Sequence, residues 1–274
     1  MILDSNIFEG MEKFGLTPLI EKTADIFQTA PKKQEDENQK EEKAFNIDDY
    51  IYAKKFDCPV CDESFKANIV KWSKMRMKSI EYDLRPIYAP IEPMYYGVIV
   101  CDHCGYSSIM DTFNKITIRQ SELVLSEISP NFKPQPFPKE PDIDTVIDRY
   151  KLALLNATVK KAKFGEKAYI CMKLVWLYRI KENDAENERK FAVLAAKGFT
   201  KALETEHAPI MGLEEVTILY LIASFSNFLG DNRNSLRILS TLIVSKKASE
   251  RLKDRARDLK TKIMNAKGDG VEMK

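Results

Sequence analysis

Histidine is scarce in this sequence, which contains only His103 and His207. His103 lies inside a Cys-x-x-Cys turn, where we expect it to be exposed, and His207 stands at a predicted helix end. The sequence therefore offers no good candidate for a histidine that acts as a general acid or base. The phosphate-loop, dinucleotide-binding, nucleophile-elbow and His-Glu-x-x-His motifs are also absent. These absences favour a non-enzymatic role, although an active site can be assembled from scattered residues.

Long apolar runs and an excess of one charge are missing as well. No stretch is apolar for long enough to span a bilayer, and nothing near Met1 resembles a secretory signal. The 43 Lys and Arg residues nearly balance the 41 Asp and Glu residues, so the net charge of +2 selects neither nucleic acid nor membrane. We therefore predict a soluble, cytoplasmic protein with no membrane partner.

Cysteine is also rare, but four of the five cysteines form two Cys-x-x-Cys pairs, with 39 residues between the pairs. A thiolate pair at this spacing fits one edge of a zinc tetrahedron, and two pairs complete it. The spacing predicts one structural Zn²⁺ per chain, with the ligands Cys58, Cys61, Cys101 and Cys104. Four protein ligands leave no open position of the kind that a catalytic zinc needs. His103 in place of one cysteine is the weaker possibility.

Four cysteines could also form two disulfides, or simply be buried as thiols. Disulfides need an oxidising compartment, and nothing in the sequence points to one. Buried thiols would not explain Pro59, which presets φ in the first turn, or Gly105, which permits a left-handed backbone that directs amides at sulfur. Zinc is the favoured interpretation.

The chain divides by composition into four regions. We predict a peripheral segment and linker at 1–45, a zinc-ribbon module with a trailing helix at 46–129, a proline-rich connector at 130–141, and a helical domain at 142–274. The connector should be stiff and extended, and we expect it to carry few contacts. In the first region, residues 7–16 form a short amphipathic piece and residues 31–43 a mixed-charge linker.

Strand-like segments flank the two cysteine pairs. Residues 65–70 lead away from the first pair, and residues 94–100 lead into the second. Residues 74–78 alternate basic and apolar side chains, which predicts a strand with a cationic face and a buried methionine face. An ordered loop follows at 82–88, where Asp83 and Arg85 project to the same side; its role is open.

The remainder of the sequence is helical. Thr117 and Gln120 fit a capping box, and Ser129-Pro130 ends that helix. Six more helices are predicted beyond the connector: near 143–163, 166–181 and 187–206, then a pair separated by 229–232, then a final helix rich in Lys and Arg. The pair around Gly230 has tetratricopeptide-like spacing, shown by Leu219, Ile222, Ala223, Ser235, Leu239 and Leu242. The predicted fold class is α+β, a small zinc ribbon followed by an all-α tetratricopeptide-like domain.

Three side chains of the second predicted helix in this domain could have a functional role. Cys171 stands among apolar neighbours, and a core thiol is the simpler interpretation. Trp176 and Tyr178 could line a groove, but aromatic residues at helical spacing more often lie in a core. The final helix interleaves its cations with acids, so we expect a solvated face with ion pairs.

The sequence resembles the bacterial domain-of-unknown-function family 2225. The resemblance rests on FDCPVCDESFKANIVK, DLRPIY, YYGVIVCDHCGYSS and LVWLYR, and NIFEGMEKFGL near the start is also similar. It implies a zinc ribbon joined to tetratricopeptide-like helices, and leaves the activity open. Asp102 departs from the pattern, in which proline often follows the first cysteine of a second pair, and we expect a looser turn there with its ligands intact.

These features lead to a cytoplasmic zinc-binding adaptor as the predicted function, with a protein or peptide partner on the helical domain. The alternative is a nucleic-acid-binding zinc ribbon that uses a basic face between Lys66 and Arg85, where six positive and two negative residues lie. A third hypothesis is an enzyme with a structural zinc and a pocket near Asp83, Arg85, Tyr88 and Tyr95.

Overall fold

The strands form three separate antiparallel hairpins. The computed structural model describes residues 45–182 and 184–268, and the predicted segments at 7–16 and 31–43 lie outside that range. The hairpins are β1 (Ile51–Asp57) with β2 (Ser64–Val70), β3 (Arg76–Ile80) with β4 (Pro86–Ala89), and β5 (Val98–Val100) with β6 (Ser107–Ile109). The first and third hairpins each carry one Cys-x-x-Cys turn between their strands.

The helices begin and end close to the predicted positions. They are α1 (Ile118–Glu127), α2 (Ile143–Val159), α3 (Phe164–Lys181), α4 (Ala185–Thr205), α5 (Glu215–Phe228), α6 (Asn232–Val244) and α7 (Glu250–Gly268). The capping box is present, because the Gln120 amide donates to Thr117 Oγ1 and the Thr117 amide donates to Gln120 Oε1. Hairpins followed by helices confirm the α+β class.

Alternate residues of β5 belong to two different hydrophobic cores. Val98 and Val100 join the large core of α2 to α7, whereas Ile99 joins a smaller aromatic core with residues of β1 and β2. All three side chains are buried, since side chains of a strand alternate between its two faces. Cys171, Trp176 and Tyr178 also lie in the large core, as predicted.

The proline-rich connector is in contact with both the hairpins and the helices. The Tyr96 hydroxyl donates to the Lys139 carbonyl at 2.6 Å, and the Arg149 guanidinium lies 3.7 Å from the centroid of the Phe137 ring. The expectation of few contacts along 130–141 therefore does not hold. The division of the chain at this connector stays a prediction, and its two sides share the core built around β5.

The second hairpin differs from its prediction. β3 is exposed along nearly its whole length, and Met77, which we expected to face a core, is 52 % exposed. The alternation of basic and apolar residues predicts a half-buried strand, but in the described structure no layer covers either face of β3. β3 is therefore exposed on both faces.

Two helices around Gly230 pack as the predicted pair. Ala223 of α5 and Ser235, Leu239 and Leu242 of α6 are buried. On α7, Lys253 pairs with Glu250 and Arg257 with Asp254, which gives the solvated, charge-paired face that was expected. None of the helices within the described ranges combines the length and the apolar character needed to cross a membrane.

Candidate metal centre

The two Cys-x-x-Cys turns bring four sulfur atoms together at one end of the first and third hairpins. We call Cys58–Glu63 the first knuckle and Cys101–Tyr106 the second knuckle. The Sγ atoms of Cys58, Cys61, Cys101 and Cys104 all lie within 4.8 Å of one another, so this group can hold a metal ion. Cys61 and Cys101 are 40 positions apart in the sequence, and only the fold places the two pairs side by side.

The distances between the sulfurs match a tetrahedron rather than disulfides. Cys58 Sγ lies 3.6 Å from Cys104 Sγ, and Cys61 Sγ lies 3.7 Å from Cys101 Sγ. Zinc–sulfur bonds of ~2.3 Å in a regular tetrahedron place the sulfurs ~3.8 Å apart. A disulfide bond would be much shorter, at ~2.05 Å. The four thiols are therefore separate and already arranged at the spacing of a tetrahedral site.

The main chain has the same hydrogen bonds in both knuckles. In the first, the Cys58 amide donates to the Glu63 carbonyl at 3.0 Å and the Asp62 amide to the Cys58 carbonyl at 2.9 Å. In the second, the Cys101 amide donates to the Tyr106 carbonyl at 2.9 Å and the Gly105 amide to the Cys101 carbonyl at 3.0 Å. The looser turn expected at Asp102 is not observed.

A left-handed residue follows the last cysteine of each knuckle. Asp62 has φ of 61° and Gly105 has φ of 76°. Gly105 was expected to direct amides at sulfur, and the Tyr106 amide acts to lower the pKa of Cys104. The Val60 and Cys61 amides act in the same direction on the pKa of Cys58. Such donors stabilise thiolates, which are the form that binds a metal.

Hydrogen bonds between the thiols shift their pKa values in opposite directions. Hydrogen bonds from Cys104 and Cys58 hold the pKa of Cys101 well below its ordinary value. The hydrogen bond to Cys101 raises the pKa of Cys104 instead, and burial acts in the same direction. Metal binding requires the charged form of each thiol, so a divalent cation would favour four thiolates.

The cysteines and the histidines differ in their exposure to solvent. Cys58, Cys101 and Cys104 are buried and Cys61 is partly exposed. His103 and His207 are exposed and lie outside the four-cysteine group. The structure therefore brings together the predicted cysteines and neither of the histidines.

Neighbours that the sequence did not reveal surround the second knuckle. Asn156 of α2 is fully buried, and its Nδ2 donates to the Gly105 carbonyl at 3.1 Å and to Ser107 Oγ at 2.9 Å. Ser129 donates to the Cys104 carbonyl at 2.9 Å. These contacts join residues 25 to 51 positions apart, so no local pattern in the sequence indicates them.

A second cluster, of charged residues, fixes the loop between β3 and β4. Asp83 is fully buried, and its Oδ2 accepts from Trp176 Nε1 at 3.0 Å and from Arg179 Nη2 at 2.8 Å. Arg179 also pairs with Glu81 at 2.6 Å and with Glu188 at 2.9 Å. Burial alone would lower the pKa of Arg179, but the hydrogen bond and the charge of Asp83 outweigh it and raise that pKa.

Arg85 takes part in the same cluster without touching Asp83. It pairs with Glu81 at 3.2 Å and with Glu92 at 3.1 Å. Of the four residues in the enzyme hypothesis, Arg85 and Tyr88 line a common cavity, whereas Asp83 and Tyr95 do not line it. Asp83 instead holds the loop against α3, a link to Trp176 and Arg179 that sequence spacing could not show.

Comparison with known proteins gives one match. The family model described as "Uncharacterized protein conserved in bacteria (DUF2225)" matches residues 51–263, which is most of the chain and includes all four cysteines of the cluster. No curated protein and no solved structure matches the chain.

Proposed function

We propose that this chain, which belongs to the DUF2225 family of bacteria, is a cytoplasmic zinc-binding adaptor. In this proposal Cys58, Cys61, Cys101 and Cys104 hold one Zn²⁺ ion, and the helical part binds a protein or peptide partner. The observation that carries the metal assignment is the tetrahedral spacing of the sulfurs at 3.6 and 3.7 Å. Four thiolates favour zinc among the common metals and leave no position for substrate, so the ion would stabilise the fold rather than catalyse a reaction.

Metal analysis tests the zinc assignment. We expect about one zinc per chain in the purified protein, and a loss of most of it in Cys58→Ser, because three thiolates bind zinc less tightly than four. Replacement of the ion by Co²⁺ should give the absorption bands of a tetrahedral thiolate site. A protein without zinc, or unchanged zinc content in Cys58→Ser, would contradict the assignment.

A groove where α4, α5 and α6 meet supports the adaptor part of the proposal. It has a volume of about 340 Å³, an apolar floor that includes Leu203, Leu219 and Ile238, and a polar rim that includes Thr200 and Thr241. Apolar side chains in a helical groove are suited to the anchor residues of a bound peptide. A reducing cytoplasm would keep the four thiols of the knuckles available for metal.

Substitutions on the rim test the groove without disturbing the core. Thr200→Arg/Thr241→Arg should block the groove, since both threonines are exposed, and Thr261→Arg on α7 is a matched control. We expect tagged wild type and the control to capture the same protein from bacterial cytoplasm, and the double variant to lose it. Capture that is equal in all three, or no protein partner for the wild type, would contradict the adaptor proposal.

The exposed cations and tryptophan near β3 support nucleic-acid binding as the second candidate function. The exposed strand β3 presents Arg76 and Lys78, the neighbouring Lys74 is exposed, and Trp72 beside them is 57 % exposed. The two acids counted in this region, Glu81 and Asp83, are paired with Arg179 instead. Cations interleaved with aromatic side chains are the usual features of single-strand binding surfaces.

Salt dependence separates this candidate from the adaptor. With Lys66, the exposed cations number four, and four phosphate contacts on duplex DNA give a log–log salt slope of about −3.6. We expect no binding of labelled DNA or RNA above the nonspecific level at physiological salt. Submicromolar binding with that slope, lost in Lys74→Glu/Arg76→Glu but kept in Lys246→Glu/Arg251→Glu, would favour the nucleic-acid function instead.

A further inference from the structure

A cavity of about 280 Å³ lies between the second hairpin and helix α3, away from the four cysteines and from the groove of α4 to α6. Aromatic side chains form much of its wall, among them Trp72, Tyr88, Tyr169 and Trp176. Trp72 and Tyr88 meet edge to face with ring centroids 5.9 Å apart, and Trp72 is largely exposed at this side. Walls of this kind favour a flat apolar ligand, because aromatic rings pack face to face or edge to face.

Lys173 contributes a positive charge to the cavity without an ion pair. Its Nζ lies 4.3 Å from the centroid of the Trp176 ring and 5.0 Å from that of Tyr169. The three residues share one face of α3 because they are separated by three and four positions. No carboxylate within the described residues forms a salt bridge with Lys173. Burial lowers the pKa of this lysine to about 8, as expected for an ammonium group that lacks a close counter-ion.

Arg85 contributes a second cation with an unused donor. It lines the same cavity and is 9 % exposed, and its Nη atoms pair with Glu81 and Glu92. Its Nε–H is buried and has no acceptor among the residues that the structure describes. Buried donors are nearly always satisfied, so an unpaired guanidinium N–H in a cavity wall points to an acceptor that comes from elsewhere.

We propose that this cavity binds a small organic anion, a carboxylate or phosphate attached to a flat apolar body. The anionic group would lie between Arg85 and Lys173, accept from the Arg85 Nε–H and supply the counter-charge that Lys173 lacks. The flat body would pack between the rings of Trp72, Tyr88 and Trp176. Glu92 and Asp111 also line the cavity, and their charge would oppose ligands with more than one separated anionic group.

Matched ligands test the proposal on the intact protein. The probes are 2-naphthoate, 2-naphthyl phosphate and the neutral 2-naphthamide. The only two tryptophans of the chain, Trp72 and Trp176, both line the cavity, so 5-fluorotryptophan labelling gives two ¹⁹F signals that report on it. We expect one of the two anions to shift both signals and to bind at least ~10-fold more tightly than the amide. The anion that binds better identifies the carboxylate or the phosphate class.

Two lysine variants assign the effect to the cavity. Lys173→Met keeps an unbranched side chain over the rings and removes the charge, so the preference for the anion should fall at least ~10-fold. Lys167→Met is the matched control, since Lys167 is also on α3 and lies 5.0 Å from the Phe164 ring but does not line the cavity. Equal affinity for anion and amide, equal loss in the two variants, or no ¹⁹F shift with any probe would overturn the proposal.

Discussion

The first and second knuckles have the same main-chain hydrogen bonds but different neighbours. The second knuckle is held by Asn156 and Ser129, and β5 and β6 beside it are buried throughout. Within the described part of the chain, the first knuckle has one contact of this kind, from Ser121 to the Pro59 carbonyl at a long 3.5 Å, and most of β1 is exposed. The two knuckles therefore have the same backbone geometry but differ in how many contacts the rest of the protein makes with them.

The difference indicates what a metal would contribute to each side. The second knuckle has hydrogen bonds and apolar packing from α2 that do not depend on an ion. The first hairpin packs through Phe56 and Phe65, whose rings contact Phe113. Its far end packs through Ile51 and Val70 against Tyr96. Near the first knuckle, the sulfurs provide much of the remaining link. We infer that the metal mainly attaches the first hairpin to a second knuckle that the helices already hold.

Removal of the metal should have the largest effect of the changes proposed here. It should destabilise the first hairpin more than the third. Structural zinc in small peptides contributes ~10–16 kcal/mol at neutral pH, more than the aromatic packing of one hairpin can replace. We expect chelation to speed amide hydrogen exchange at 51–70 by at least ~100-fold. This corresponds to a free energy of local opening that is lower by ~3 kcal/mol or more. Exchange at 98–109 should change much less, and the helical circular dichroism should largely persist.

Cys58→Ser should reproduce the effect of chelation, and Cys171→Ser is the control, because Cys171 is buried in the large core away from the cluster. The control should lose some stability while it keeps its metal. Equal exchange at both hairpins would mean that the metal supports them equally. Loss of most helix on chelation would mean that the core shared through β5 depends on the ion.

The residue after each knuckle's last cysteine offers a second test. A Cβ on Gly105 would collide with the ring of Phe132, in addition to the strain of a left-handed alanine. We expect Gly105→Ala to lower the free energy of unfolding by about 2–5 kcal/mol. Asp62 already has a side chain in the same conformation, so Asp62→Ala should cost less than ~1 kcal/mol. Urea unfolding of the zinc-loaded proteins measures both.

Similar losses in the two variants would contradict this expectation, because Asp62→Ala adds little backbone strain and no such collision. A large loss for Gly105→Ala alone would agree with the combined strain and collision with Phe132 at the second knuckle. Metal content should be the same in both variants, which separates stability from ligand loss.

The two knuckles also show which features sequence reasoning could reach. The cysteine spacing predicted which thiols come together, because two cysteines separated by two residues can place both sulfurs on one edge of a tetrahedron. The capping box at Thr117 and the break at Gly230 were local signals of the same kind, and the helices follow them. Pairings such as Asp83 with Arg179, 96 residues apart, depend on how α3 packs, which no local pattern contains.

The errors have a physical cause in common. Met77 was expected to be buried because alternation usually indicates a strand with one covered face, but nothing within residues 45–182 and 184–268 forms a layer over β3. The connector was expected to carry few contacts because its prolines indicate an extended chain. An extended chain can still pack, and Phe137 does so between Tyr96 and Arg149.

The smallest predicted effect concerns the side chains that hold each knuckle. Asn156→Leu removes a donor to the Gly105 carbonyl and to Ser107 Oγ, each of which would lose that partner in a buried site. Asn156 Oδ1 is itself buried and has no partner in the ranges that the structure describes, so the substitution also removes a polar atom that burial already penalises. These two effects oppose each other, and we expect a net loss of about 1–3 kcal/mol.

Ser121→Ala is the matching change at the first knuckle and should stay within about 0.5 kcal/mol of wild type, because its bond to Pro59 is long and partly exposed. Hydrogen exchange at 98–109 should rise in Asn156→Leu and stay unchanged in Ser121→Ala. A comparable loss in both variants would mean that the first knuckle has support from the protein equal to that of the second. In that case the metal would link two hairpins that are equally well held, and the unequal response to chelation should disappear with it.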